Sequence, residues 1–153
     1  MSTNTVAQID GTTNSETPQR STGQAAWVAV RPVPAGTGLV QLTGASGNVA
    51  NATATATLAA AANQTTYIEG FQVTGAGATA ALPVVVTVTG LLGGTQSYIY
   101  CARANPLDAN EPLFVAFDPP IAASAPNTAI VVTCPALGAG NTNNAVCVQG
   151  FRV

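Results

Sequence analysis

The chain has 153 residues, enough for one domain, and it is nearly uncharged, with four Arg, no Lys, no His, six Asp or Glu and a net charge of −2. Without His or Lys the chain has no Ser-His-Asp or Cys-His centre, no Schiff-base lysine and no imidazole metal site, so we predict that it is not an enzyme. Four Arg cannot form a basic surface that neutralises many phosphates, and we therefore expect no nucleic acid as a partner.

Residues 1–24 differ in composition from the rest of the chain. They are rich in Ser, Thr, Asn and Gln, and their only large apolar residues beyond Met1 are Val6 and Ile9. Such a segment cannot supply a core, so we predict a polar N-terminal arm that binds a partner as an extended strand through Val6 and Ile9. Trp27 follows directly and is expected to anchor the junction between the arm and the domain.

Residues 25–153 are predicted to form a single all-β domain. Short apolar segments alternate with Gly and Pro, and the only helical signal is an Ala run at 58–62 that is too short to be stable alone. Such spacing is typical of a β-sandwich or a barrel, and we predict an antiparallel β-sandwich. The predicted strands are residues 27–33, 39–43, 49–58, 65–74, 84–89, 97–101, 113–118, 128–134 and 146–153.

Alternation with a period of two assigns faces to three of these strands. Ala54, Ala56 and Leu58 are expected to face the core, with Thr residues between them on the outside. The same period groups Val84 with Val86 and Val88, and Ile130 with Val132 and Cys134. Gly and Pro pairs mark the turns, and one turn is predicted at Asp118-Pro119-Pro120.

The composition also suggests association between copies of the chain. Hydrophobic residues make up 47% of it, but many of them are Ala, which buries little area. We therefore expect a homo-oligomer whose subunit contacts complete a thin core, since a protein of low net charge tends to associate. No uninterrupted apolar stretch approaches the ~18 residues of a membrane span, and no secretion signal is seen, so we expect synthesis in a cytoplasm and no membrane partner.

Candidate reactive or metal-binding groups are few. The three Cys are an odd number without CxxC spacing, and we predict free thiols. Asp108 and Glu111 could hold Ca²⁺ through oxygen ligands, but their spacing fits no EF-hand and turn-stabilising side chains are the better interpretation. The Gly-rich stretches lack a GK[ST] motif and are interpreted as hairpin turns. No cofactor and no metal are predicted, and a hydrolase using carboxylates alone stays open as an alternative.

Three further residues are candidates for contact with a partner. Glu69 lies between Tyr67 and Phe71 and is expected on the same face as both, so it needs either an Arg partner or a position at the rim of an interface. Tyr98 and Tyr100 share a strand face. They could bind a sugar or a partner. They could instead fill a subunit interface or the core, and we favour this second interpretation.

Two stretches resemble a known group of proteins. Residues 67–75 (YIEGFQVTG) and 141–152 (NTNNAVCVQGFR) look like parts of small structural proteins of tailed bacteriophages, and the chain resembles head decoration (cement) proteins with a jelly-roll fold. The resemblance implies a jelly-roll sandwich and a homotrimer on the virion surface that clamps neighbouring subunits of the major capsid protein. It brings no catalytic residues.

A second function is kept as an alternative. A carbohydrate- or receptor-binding β module of a phage spike or fibre would have a similar composition, with Tyr98, Tyr100 or loop amides in contact with the sugar. The two hypotheses differ in the role of the arm. A cement protein uses residues 1–24 to hold the shell, whereas a tip module uses them only for attachment.

Overall fold

The computed structural model describes residues 5–10, 13–18, 38–80, 82–104 and 111–153. The chain forms two compact units, Met1–Leu39 and Val40–Val153. In the first unit, β1 (Thr5–Asp10) and β2 (Thr13–Pro18) pair as an antiparallel hairpin with Asp10 opposite Thr13. The boundary predicted between residues 24 and 25 lies outside the described residues, and the arm stays a prediction.

The described residues of the second unit form eight strands in two antiparallel sheets that pack against each other. Sheet I has the strand order β3-β10-β5-β8, and sheet II has the order β4-β9-β6-β7. The strands are β3 (Val40–Ala45), β4 (Ala54–Leu58), β5 (Thr66–Ala76), β6 (Pro83–Thr89), β7 (Gln96–Cys101), β8 (Leu113–Ala122), β9 (Ile130–Cys134) and β10 (Asn143–Arg152). The described residues contain no helix, so the predicted all-β, antiparallel sandwich is confirmed.

The strand pairs are nested. The first strand of the unit pairs with the last (β3 with β10), the second with the seventh (β4 with β9), the third with the sixth (β5 with β8) and the fourth with the fifth (β6 with β7). This is the pairing of one long hairpin folded over on itself. The β6–β7 hairpin is the innermost pair of this series, and β7 is an edge strand of sheet II.

The core lies between the two sheets and follows the predicted alternation. Sheet II contributes the inward side chains of β4, β6 and β9 that the period of two assigned to one face, and all of them are buried. Sheet I contributes apolar side chains of β5 and β10. The largest of the fully buried residues are Phe71, Leu58, Ile68, Leu91, Ile130, Leu137, Val73, Val86, Val88, Val132 and Val146. Burial of these side chains is the main contribution to the stability of the sandwich.

The two sheets approach closely at the edge formed by β3 and β4. A Cβ atom built on Gly44 of β3 would overlap the carbonyl oxygen of Thr57 on β4. Only glycine permits this distance between the backbones, because any side chain would push the sheets apart. The small inward residues Ala54 and Ala56 of β4 suit the same narrow space.

Two of the differences between observed and predicted strand boundaries have a local cause in the backbone. The strand predicted at 49–58 begins only at Ala54, because Asn51 has a positive φ of 50° that interrupts an extended backbone. The turn predicted at Asp118-Pro119-Pro120 is wrong, since β8 continues through it to Ala122 with a cis Asp118-Pro119 bond. Proline is tolerated there because β8 is the edge strand of sheet I and the ladder is already irregular at that point.

Candidate functional site

The outward side chains of β6 and β7 form an apolar surface at the edge of sheet II. In the register of this hairpin Val85 lies opposite Ile99, and Pro83 lies opposite Cys101. Ile99 is 77% exposed and Val85 is 49% exposed, and both Pro83 and Cys101 are exposed. We call these four residues the β6–β7 face.

The strands of the β6–β7 face carry no charged side chain that would oppose association with another protein. Residues 82–102 contain no charged side chain. Among the strands that the structure describes, only β6 pairs with β7, so one edge of β7 carries backbone N–H and C=O groups without a strand partner. Edge strands of soluble proteins usually carry charges or Pro that prevent pairing with another chain, and β7 has neither.

This surface can make two kinds of contact with a protein partner. Burial of a Val or Ile side chain contributes about 1.5–3 kcal/mol, so Val85 and Ile99 together can anchor an interface. The free edge of β7 can accept an additional strand through backbone hydrogen bonds. The two contacts reinforce each other, because a strand added beside β7 would lie next to Ile99.

Tyr98 and Tyr100 alternate with Ile99 and point to the opposite side of β7, toward the core. Tyr100 is 6% exposed, and Tyr98 is half-buried with its ring against the ring of Phe71. Burial raises the pKa of both phenols, and for Tyr100 the neighbouring Cys134 also raises the pKa while the Gly75 backbone opposes the shift. A role for Tyr100 in stacking on a sugar or contacting a partner does not fit this burial. The two rings instead hold β7 in place and present Ile99 outward.

Glu69 lies at an irregular point of the β5–β8 ladder. Ile68 pairs with Ile121 and Gly70 pairs with Ala116, so Glu69 faces a stretch of β8 that is out of register. The bulge reverses the alternation after Glu69. The expectation that Glu69 shares a face with Phe71 is therefore wrong, since Phe71 is in the core while Glu69 and Tyr67 are half-buried on the other side. The position of Glu69 at an interface rim stays a prediction.

The arm residues and the predicted acidic pair are only partly described. Val6 pairs with Thr17 and Ile9 with Asn14 in the β1–β2 hairpin, and their side chains lie outside the description. Trp27 and Asp108 also lie outside the described residues, whereas Glu111 is exposed. The partner-binding role of Val6, Ile9 and Trp27 therefore stays a prediction.

The three cysteines are free thiols, as predicted. Cys101 and Cys147 are exposed, and Cys134 is buried in the core. Burial raises the pKa of the Cys134 thiol to about 11, and a hydrogen bond from Asn144 opposes this shift. A buried thiol with such a pKa stays protonated and unreactive near neutral pH.

Within the ranges given above, no group of three or more His, Cys, Asp or Glu side chains comes close enough together to hold a metal ion. No helix long and apolar enough to cross a membrane occurs in the same part of the chain.

Comparison of the chain with protein-family models, with curated proteins and with solved structures gives no match.

Val85 and Ile99 were not among the partner-binding residues predicted from the sequence. Val85 stands in a run of three Val, where every position is apolar and the alternation is hidden. The signal for Ile99 was available, because the assignment of Tyr98 and Tyr100 to one face places Ile99 on the other. It was missed because alternation does not tell which of the two faces meets the core.

Proposed function

We propose that this protein is a structural virion protein that binds the outside of a tailed-phage capsid and clamps neighbouring subunits of the major capsid protein. The observation that carries this proposal is the β6–β7 face, an uncharged apolar surface beside an unpaired strand edge. A cement role requires contact area and shape rather than reactive groups, and this surface offers both a hydrophobic anchor and a strand edge.

The fold proposed with this function is the jelly roll. The nested strand pairs and the orders β3-β10-β5-β8 and β4-β9-β6-β7 support it, because two Greek keys joined in one sandwich give such an arrangement. A jelly-roll sandwich has four edge strands that can make contacts, and here they are β3, β8, β4 and β7. In the proposed complex, the edge at β7 contacts the capsid.

The proposed assembly is a homotrimer. Each protomer would contribute one β6–β7 face and one N-terminal segment, so that several weak contacts act together. A single pair of apolar anchors binds weakly, but linked contacts raise the overall affinity without any strong individual site. Sedimentation of the free protein at three times the 15.2 kDa mass of the chain is the expected result, and a stable monomer at micromolar concentration would contradict the trimer.

The test uses capsids of the virus that encodes the chain, prepared without this protein. Purified full-length protein is added, and the occupancy is measured by co-sedimentation and by electron microscopy. We expect saturable, stoichiometric binding. Absence of binding at saturating concentrations of a folded protein would overturn the proposal.

A pair of charge-matched variants locates the contact. Ile99→Lys places a charge on the β6–β7 face, and we expect it to reduce capsid affinity about tenfold or more, since a desolvated Lys replaces a buried apolar anchor. Thr55→Lys adds the same charge at the exposed position on β4, at the opposite edge of sheet II, and should bind as the unmodified protein does. Equal binding of both variants would place the capsid contact elsewhere. A loss of trimer mass in Ile99→Lys would instead place the β6–β7 face between protomers.

The alternative function, a sugar- or receptor-binding tip module, would place Tyr98, Tyr100 or loop amides in contact with the sugar. Tyr100 is buried and Tyr98 packs against Phe71, so these residues do not support it.

A further inference from the structure

A shallow depression of about 250 Å³ lies on sheet I. Its lining includes the side chains of Thr43, Gln72, Phe114, Cys147 and Gln149. Four of these side chains are exposed and Gln72 is half-buried. The depression is separate from the β6–β7 face, which belongs to sheet II.

The register of sheet I explains why a depression forms at this place. One row across the four strands reads Ala45, Cys147, Gln72 and Phe114, and the next row reads Thr43, Gln149, Gly70 and Ala116. Gln72 and Phe114 are the large side chains of the first row, whereas the second row has a large side chain only at Gln149. Gly70 has no side chain, and space is left between Gln149 on one side and Phe114 on the other.

Phe114 is the aromatic wall of this space. Its side chain is 64% exposed although it stands in a regular strand directly opposite Gln72. An aromatic face carries partial negative charge, which favours contact with the weakly positive C–H groups of a ligand. The neighbouring amides of Gln72 and Gln149 each offer two N–H donors and a carbonyl acceptor, and Thr43 adds a hydroxyl that can donate or accept.

The chemistry of the lining selects the class of ligand. No charged side chain is among the lining residues, which disfavours phosphates and other ions. A purely apolar ligand would cover the amides and the hydroxyl without pairing them, at a cost in free energy. A sugar ring meets both requirements, since it has an apolar C–H face and a rim of hydroxyl groups.

We propose that this depression binds a neutral saccharide, with one sugar ring stacked on Phe114 and its hydroxyl groups hydrogen-bonded by Gln72 and Gln149. The site is open, so a ring within a longer glycan can enter it as readily as a free sugar. This activity is additional to capsid binding and uses the opposite sheet, so either proposal can fail without the other.

The test is a binding titration of the full-length protein with neutral disaccharides of hexoses and N-acetylhexosamines, followed by saturation-transfer NMR and calorimetry. We expect at least one of these probes to bind with a dissociation constant in the millimolar range or tighter. Phe114→Ala should weaken that binding about tenfold, because it removes the stacking surface. Phe114→Tyr keeps the ring and should retain binding within about threefold.

Two further variants control for folding and for location. Gln149→Ala changes an exposed side chain and should weaken binding without disturbing the core, so the proposal stays testable if Phe114→Ala fails to fold. Thr55→Ala changes an exposed side chain of the other sheet and should leave sugar binding unchanged. The proposal is overturned if no probe binds at 10 mM, or if folded Phe114→Ala and Gln149→Ala bind as well as the unmodified protein. A self-association that depends on Phe114, without sugar binding, would overturn it as well.

Discussion

The ring of Phe71 on β5 meets the ring of Tyr98 on β7 edge to face, with 5.3 Å between the ring centroids and 67° between the ring planes. These two strands belong to different sheets, so the contact joins the edge strand of sheet II to the centre of sheet I. The Tyr98 hydroxyl lies 2.6 Å from Oε1 of Gln96 on the same strand and donates a hydrogen bond to it. The contact therefore holds in place the strand that presents Ile99.

Replacing Tyr98 should separate the role of its ring from that of its hydroxyl. We expect Tyr98→Ala to lower the free energy of unfolding by about 2–3 kcal/mol, because it removes a half-buried ring and its edge-to-face partner. Tyr98→Phe loses only the hydrogen bond to Gln96 and should cost about 1 kcal/mol or less. Urea denaturation of both variants measures the difference. Equal losses for the two would show that the ring contact does not stabilise the fold.

Asn144 connects three segments at one end of the sandwich. Its Nδ2 atom is within 3.1–3.4 Å of the carbonyl oxygens of Ala52, Cys134 and Pro135, and its side chain is fully buried. We expect Asn144→Ala to lower the free energy of unfolding by about 1–3 kcal/mol, since these carbonyls lose their donor. Gln149→Ala, at an exposed position of the same strand, is the control and should change stability by about 0.5 kcal/mol or less. Similar losses at both positions would contradict the structural role of Asn144.

The burial of the three thiols predicts their reactivity. In the folded protein at pH 8, Cys101 and Cys147 should react quickly with a thiol reagent such as dithionitrobenzoate, because both are exposed. Cys134 is fully buried and should react only as fast as the protein opens. We expect two fast equivalents and a third on denaturation, without prior reduction. A single equivalent in denaturant would reveal a disulfide.

The pKa of Cys134 predicts a loss of stability at alkaline pH. Burial raises this pKa from an ordinary value of 9.0 to about 11, so the unfolded chain releases the thiol proton first. Stability is then fully present below pH 9 and falls as the pH rises toward about 11, by about 1 kcal/mol per pH unit. Urea denaturation between pH 8 and pH 11 measures this slope. Cys134→Ala should flatten it below pH 10, above which the raised pKa values of Tyr98 and Tyr100 also lower the stability.

Deletion of residues 1–24 should affect binding more than folding. All members of the described core lie within Val40–Val153, so we expect the thermal midpoint of the free protein to change little. Capsid occupancy should fall strongly, because the proposed complex loses the backbone and side-chain contacts of the N-terminal segment. If the truncated protein unfolds, the segment is part of the core. If it occupies capsids as well as the full chain does, the sandwich alone makes the contact.

Much of the fold could be predicted from the sequence. Eight of the predicted strands overlap the eight strands of the sandwich, and the inward residues of β4, β6 and β9 follow directly from the period of two. These features are local. A strand with one apolar face and one polar face has only one favourable orientation toward a core. Gly93 and Gly94 have φ angles of +95° and +99°, and they mark the turn between β6 and β7 because few other residues adopt such angles.

The surfaces proposed as binding sites depended on the tertiary structure. Periodicity grouped Tyr98 with Tyr100, but only the packing of β7 against Phe71 decided that their side faces the core and that Ile99 faces outward. The bulge beside Glu69 reversed the alternation that the sequence predicted for Phe71. The depression at Phe114 arises from four strands that are distant in sequence. Alternation along a strand is a local property, whereas the choice of the buried face, the positions of bulges and the register between strands are set by contacts across the whole sandwich.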